Sequence, residues 1–218
     1  MRYGELQNPV NELVYTASYY LWKPVAEIAL GLKVMGRENI PDQGAAIIAP
    51  NHRHWLDAPM LPYAVKERHL TMVARDDLAT GRFGRWYWEQ GEVIRISRHG
   101  FTKENFREID DRLKAGRLIS IFPEETRGDK AMRKADRRAN LGPFKSGVAK
   151  FAQRHDIPTI PTALSGFDHA FTMQHQRIGR IVFGEPMEAP GAGQSSKQSF
   201  LEELRVRIET LYDQSLEA

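Results

Sequence analysis

No cysteine occurs among the 218 residues, so disulfides, thiolate metal sites and a cysteine nucleophile are all excluded. Long apolar runs are missing too. The longest charge-free apolar stretch near the N-terminus, LVYTASYYLW between Glu12 and Lys23, has ten residues, where a bilayer-spanning helix needs about 20. The opening MRYGELQNPVNE lacks the basic start and compact apolar core of a secretory signal, so export is not expected. Two catalytic signatures are absent: no GxSxG elbow occurs, and no GxxxxGK phosphate loop. This argues against serine hydrolases of the elbow type and against P-loop enzymes. No low-complexity linker divides the chain, which is long enough for one substantial core. The net charge of +3 is too small to argue for nucleic acid, and it is compatible with a membrane surface or a phosphorylated substrate.

What is present is a series of short apolar runs bounded by polar clusters. LKVM, AAIIAP, TMVA (71–74), VIRI (93–96), LISIF (118–122), TIPTAL (159–164) and RIVF (180–183) read as strands. Helical spacing falls between them at 58–65, 102–115, 147–154 and 199–211. The alternation predicts an α/β fold with a mixed sheet of about seven strands flanked by helices. Pro41-Asp42-Gln43-Gly44 reads as a turn that pairs the first two strands antiparallel. GAGQSS (191–196) reads as a flexible joint before the last helix.

The N-terminal residues 1–33 read as an amphipathic two-helix segment and 34–218 as the α/β domain. Asn8-Pro9 supplies a cap followed by proline at the first helical position, and Pro24 restarts a second helix through Leu32. Val10, Leu13, Val14, Ala17, Tyr20 and Leu21 recur at helical spacing beside Tyr15, Tyr19, Trp22 and Lys23. Such a stripe suits a membrane interface, and it equally suits a cover for the sheet.

Chemistry belongs at the ends of the strands, where polar groups can face solvent without disturbing the core. Asn51-His52-Arg53-His54-Trp55-Leu56-Asp57 follows AAIIAP. Five positions apart on a continuous helix, His52 and Asp57 would point about 140° from each other, so contact requires a non-helical intervening stretch. In contact, the carboxylate would orient the imidazole as a base that acts without a protein nucleophile. Two other readings stay open. Asp57 is a good N-cap for a helix from Ala58, and His52, His54 and Asp57 together offer nitrogen and oxygen ligands for a metal-dependent hydrolase. The cluster Phe122 to Arg127 ends another run with two carboxylates and an arginine, an expensive arrangement unless something binds there, and Arg98 follows VIRIS. Either guanidinium suits a phosphate.

In this order, NHxxxxD, a strand ending in Arg98, Phe122-Pro123-Glu124-Glu125-Thr126-Arg127 and a strand around Ile160-Pro161, the chain resembles the glycerolipid acyltransferases, the family of 1-acylglycerol-3-phosphate acyltransferases. The resemblance runs from about Val34 to Pro186 and includes Phe144-Lys145-Ser146-Gly147 and Phe183-Gly184-Glu185-Pro186. It implies that His52 is the general base and Asp57 its orienter. It further implies that Arg98, Glu124, Thr126, Arg127 and Lys145 bind substrate. The acyl group would come from acyl-CoA or acyl carrier protein, pass to a hydroxyl of a lysophospholipid-like acceptor, and require no metal or cofactor. The expected location is the cytoplasmic face of a membrane, as a peripheral, monotopic protein, and no nucleic-acid partner is expected. An inactive lipid-binding protein of the same fold is the alternative within that resemblance. The basic segment from Lys130 to Arg138 reads as a contact for CoA phosphates, an acidic carrier protein or anionic headgroups, or as a solvated helix face.

Two positions depart from the family pattern. Gly91 sits one residue early in the second motif, and Glu125 replaces the glycine of FPEGTR. A carboxylate about 6 Å from a phosphate, at an effective dielectric of 20, costs roughly 3 kcal/mol per unit charge before screening. A zwitterionic lysolipid then becomes a contender as acceptor. Glu125→Gly should therefore lower the KM for lysophosphatidate relative to a zwitterionic lysolipid, and Arg127→Ala should raise it. An unchanged ratio of kcat/KM between the two acceptors in Glu125→Gly would remove Glu125 from the specificity argument.

Overall fold

In a computed structural model of the chain, residues 9–66, 68–76, 81–91, 93–97, 101–124, 141–167 and 178–217 are described. The strands are β1 (Lys33–Met35), β2 (Ala46–Pro50), β3 (Leu70–Arg75), β4 (Ile94–Ile96), β5 (Leu118–Ser120), β6 (Thr159–Ser165) and β7 (Arg180–Phe183). The helices are α1 (Pro9–Pro24), α2 (Asp57–Val65), α3 (Gly81–Gln90), α4 (Lys103–Lys114), α5 (Gly147–His155) and α6 (Gln194–Glu217). The strands form one sheet in the order β1-β7-β6-β2-β5-β3-β4. All neighbours run parallel except β6 and β7, so the sheet is mixed.

β2 organises the sheet because its residues are apolar and every one is buried. Ile47 and Ala49 join a core that includes Ile109 and Leu113 of α4, Phe151 of α5, and Leu204 and Ile208 of α6. Ala46 and Ile48 face the opposite core, with Ala26, Leu30, and Met60 and Leu61 of α2. A strand buried on both faces reads as a continuous apolar run, and parallel partners on either side follow from it. β2 lies between β5 and β6. The chain moves to one side of β2 toward β3 and returns to its other side at β6, which leaves a crevice beyond its carboxyl end.

The antiparallel pairing of the first two strands does not occur: β1 pairs in parallel with β7 at the far edge. Both edges of β2 are taken by the buried strands β5 and β6, and the chain after β1 is diverted at Gly36. There φ is +70°, and a Cβ would collide with the Phe183 carbonyl, which also accepts the Asn39 side-chain N–H at 2.9 Å. Pro24 does not start a second helix either. It ends α1 without a backbone N–H to donate, and the next turn, Val25–Ala29, widens into a π-helix with Leu30 N–H bonded to Val25 O at 2.9 Å. α6 begins at Gln194, so half of the expected joint GAGQSS is helical. α3 was not apparent from sequence, since its glycines and aromatic residues favour other structure.

At the amino ends of the strands, the buried guanidinium of Arg68 donates to the carbonyls of Pro41 (2.9 Å), Gly44 (2.9 Å) and Gly116 (2.8 Å). Beside it, His69 is 4% exposed and packs on the Tyr15 ring at 4.3 Å. Burial, aided by the positive charges of Arg117 and Arg112, pushes the His69 imidazole down to about 3. The folded state refuses a proton that the unfolded chain accepts near its ordinary value of 6.5. His69 therefore lends stability that is fully present above that value and is lost as pH falls toward 3. By linkage the loss reaches about 2 kcal/mol at pH 5. His69→Phe should remove that slope, so that the stability difference between wild type and variant changes by about this amount between pH 8 and 5 in urea unfolding. Parallel curves over that range would contradict the assignment.

Candidate active site

The site begins where β2 ends. Asn51 continues the β2–β6 ladder with its side chain: Nδ2 donates to Leu164 O at 3.0 Å, Oδ1 accepts the Leu164 N–H at 2.7 Å, and its own N–H reaches Thr162 O at 3.3 Å. The residue after it is thereby delivered to the carboxyl end of the sheet. His52 is 18% exposed at its side chain, and its ring lies 4.3 Å from that of Phe122. Residues 51–56 are non-helical, which brings His52 and Asp57 together across five positions with Nδ1 2.9 Å from Oδ2.

The carboxylate of Asp57 is 1% exposed, and the same Oδ2 also accepts the backbone N–H groups of Arg53 and His54, each at 2.7 Å. Asp57 is the first residue of α2, and the capping position is Leu56, without a side-chain cap bond. The carboxylate thus folds the loop back on itself instead of capping the helix, and it gains from the positive end of α2 as well. A carboxylate can only accept, so Nδ1 of His52 carries the proton and Nε2 is left as the basic nitrogen.

Glu124 approaches His52 from the end of β5. It is 7% exposed; Oε1 accepts the His52 backbone N–H at 3.1 Å, and Oε2 accepts that of Gly142 at 2.9 Å. Burial pushes its carboxyl above the ordinary value, and these two N–H groups, with the charges of His52 and Arg53, pull it back. Lys145 is exposed and held by its main chain, N–H to Pro123 O at 2.9 Å. Arg98, Thr126, Arg127, Glu125 and the basic segment after it lie outside the described residues. His54, the third member of the metal reading, receives the Leu56 N–H on Nδ1 at 3.3 Å. Among the described residues no three His, Asp or Glu side chains gather where they could hold a metal ion.

Beside the loop, between α1, α2, β3 and α3, lies a cavity of about 490 Å³ whose walls include Tyr19, Trp22, Trp55, Met72, Trp88 and Val93. That is the size range of pockets that enclose small organic ligands. Trp55 belongs at once to the His52–Asp57 loop and to this wall.

A family model described as Acyltransferase matches residues 31–165, a span that runs from before β1 to the end of β6 and includes the His52–Asp57 loop. The chain belongs to the acyltransferase family. This acyltransferase is 23% identical over 193 residues to a 1-acyl-sn-glycerol-3-phosphate acyltransferase of Bacillus subtilis (strain 168), a match covering 87% of the chain and 92% of that protein. It is 29% identical over 153 residues to an uncharacterized protein of Mycobacterium tuberculosis (strain ATCC 25618 / H37Rv), spanning 65% of the chain but 39% of that relative. The crystal structure of a 1-acyl-sn-glycerophosphate acyltransferase from Thermotoga maritima superposes with a TM-score of 0.67 at 19% identity, covering 96% of this chain and 87% of that one, and shows a shared fold.

Sequence reasoning missed several parts of this candidate site. Asn51 stood in the motif, but its partner Leu164 contributes only main-chain atoms. Gly142 gives a backbone N–H that no side-chain pattern announces. Arg53, given no role in the sequence, is buried and lies 5.5 Å from the Tyr212 ring of α6.

Proposed function

We propose that the protein moves a fatty acyl group from an acyl thioester, acyl-CoA or acyl carrier protein, to a hydroxyl of a lysophospholipid-like acceptor, 1-acylglycerol-3-phosphate or a related lysolipid. The observation that carries this reading is the 2.9 Å contact of His52 Nδ1 with Asp57 at the sheet's carboxyl end, which leaves Nε2 to act as a base. Nε2 takes the acceptor's hydroxyl proton as the oxygen attacks the thioester carbonyl, and Asp57 stabilises the imidazolium. The tetrahedral intermediate then expels the thiolate, which recovers the proton from His52, and the products are an ester and a free thiol. Kinship with the Bacillus enzyme supports a phosphorylated glycerolipid acceptor and a place in phospholipid biosynthesis. Arg98, Thr126, Arg127 and Lys145 are its proposed contacts, the arginines through their forked guanidinium, Lys145 through its charge and Thr126 through its hydroxyl. The apolar cavity reached by Trp55 suits the acyl chain.

Residues 1–33 form the proposed docking segment, on the cytoplasmic face of a membrane, and 34–218 the catalytic domain. α1 is amphipathic in an unusual sense. Its inner face, with Tyr15, Ser18, Tyr19 and Trp22, lines the cavity, while Val10, Leu13, Tyr20 and Leu21, with Ile28 of the π-turn, are 49–69% exposed. An outward apolar stripe with this pattern suits partial burial in a lipid interface. Among the described residues no helix is long and apolar enough to cross a membrane.

His52→Ala should lower transfer from labelled acyl-CoA or acyl carrier protein to lysolipid by at least about 100-fold, and Asp57→Asn by a comparable order, with melting temperatures measured alongside. Rates within about threefold of wild type for a folded His52→Ala would overturn the base assignment. For docking, the stripe is the right target because removal of the segment would strip Ala26 and Leu30 from the core. The triple variant Leu13→Glu, Leu21→Glu, Ile28→Glu should move the protein from liposome pellet to supernatant. Equal sedimentation of variant and wild type would refute the docking role.

A further inference from the structure

We infer that Glu124 is a positioning residue for His52 and not a contact for the acceptor's phosphate; this deepens the proposed reaction and rests on His52 as its base. The first ground is chemical. A carboxylate is acceptor-only, so Glu124 can offer a phosphate no hydrogen bond and only like-charge repulsion.

The second ground is geometric. Its two oxygens are bonded to two backbone N–H groups from different parts of the chain, His52 at 3.1 Å and Gly142 at 2.9 Å. The adjacent Pro123 carbonyl holds the Lys145 N–H at 2.9 Å. Residues 123 and 124 are therefore a strut between the loop that carries the base and the segment that carries Lys145. At 7% exposure the side chain is inside the protein, not displayed in the crevice.

The third ground is the placement of charge. Among the described residues the ionisable groups that face Glu124 are His52 and Arg53, both from the β2–α2 loop, while His52 meets Asp57 on its other side. The imidazole that turns positive during transfer thus has Asp57 bonded to its ring and the Glu124 carboxylate behind its main chain. Glu124 both fixes where the ring hangs and favours the charge it acquires. Gln cannot replace it: one amide oxygen would serve one N–H, and the amide N–H₂ would face the other donor.

The test is the Glu124→Gln variant of the full chain, with Glu124→Asp as a shortened carboxylate. For whichever lysolipid the wild type turns over best, Glu124→Gln should lower kcat about tenfold or more, leave the acceptor KM within about twofold, and move the acid limb of kcat/KM to lower pH. Glu124→Asp should keep the acid limb in place while losing part of kcat. A rise in acceptor KM of about tenfold with kcat retained would make Glu124 a substrate contact and overturn the inference. A kcat loss with an unmoved acid limb would reduce it to a plain structural brace, and overturn it equally. If the wild type turns over no lysolipid, the reading of function fails and this inference stays testable in the resting protein. The ¹⁵N signal of the His52 Nδ1–H, assigned by its loss in His52→Ala, should weaken or broaden in Glu124→Gln, and an identical signal would overturn the role.

Discussion

A single oxygen, Asp57 Oδ2, receives the imidazole Nδ1–H of His52 and two consecutive backbone N–H groups while it is almost wholly removed from water. Burying a carboxylate costs several kcal/mol unless hydrogen bonds replace the lost solvent, and bonds to an ionised acceptor are the strong kind. The loop from Asn51 to Leu56 is the shape that brings those donors to one point. Its curvature, the tautomer of His52 and the start of α2 are consequences of the same demand. Asn51, bonded to β6, and Glu124, beyond the end of β5, complete the arrangement, so His52 is held by neighbours on both sides of β2.

The strands were legible in the sequence because burial on both faces favours apolar side chains over charged ones. Ile47-Ile48-Ala49 and Leu118-Ile119 announce themselves for that reason, and each predicted apolar run contains a strand. Pairing was less legible. Nothing in LKVM says that its partner lies 147 residues further along, Val34 beside Ile181, and not across the nearby turn, because edge pairing is decided by which positions the central strands leave open. α3 was hidden by its own composition, and its helical form is set by Tyr87 and Trp88 packing into the cavity wall. In the site, the spacing of His52 and Asp57 allowed contact or capping, and the choice was made by backbone donors that have no letter of their own.

The two faces of α1 show how one helix can serve two environments. Toward the protein it offers hydroxyls and rings: Tyr87 OH donates to Ser18 Oγ at 2.7 Å, and Tyr19 stacks on Tyr63 at 4.9 Å. Away from the protein it offers Val10, Leu13, Leu21 and the ring of Tyr20. Helical periodicity read from sequence detects the stripe but not the direction it points, since an apolar face is equally compatible with a core and with a lipid surface. The π-turn after Pro24 lets the segment continue into the core at Ala26 and Leu30 without a break.

Arg68 gives the opposite end of the sheet a different character. Its guanidinium joins the approaches to β2 and β5, through Gly44 and Gly116, to the approach to β3 that it begins itself. Three strands are thus registered at their amino ends by one planar fork whose geometry a lysine could not reproduce. With strands rising about 3.3 Å per residue, that clamp sits roughly 15 Å from the carboxyl ends where His52 stands. The Arg68 clamp and the candidate site are therefore housed at separate poles of the sheet, far enough apart that substitutions at one and the other should act independently on stability.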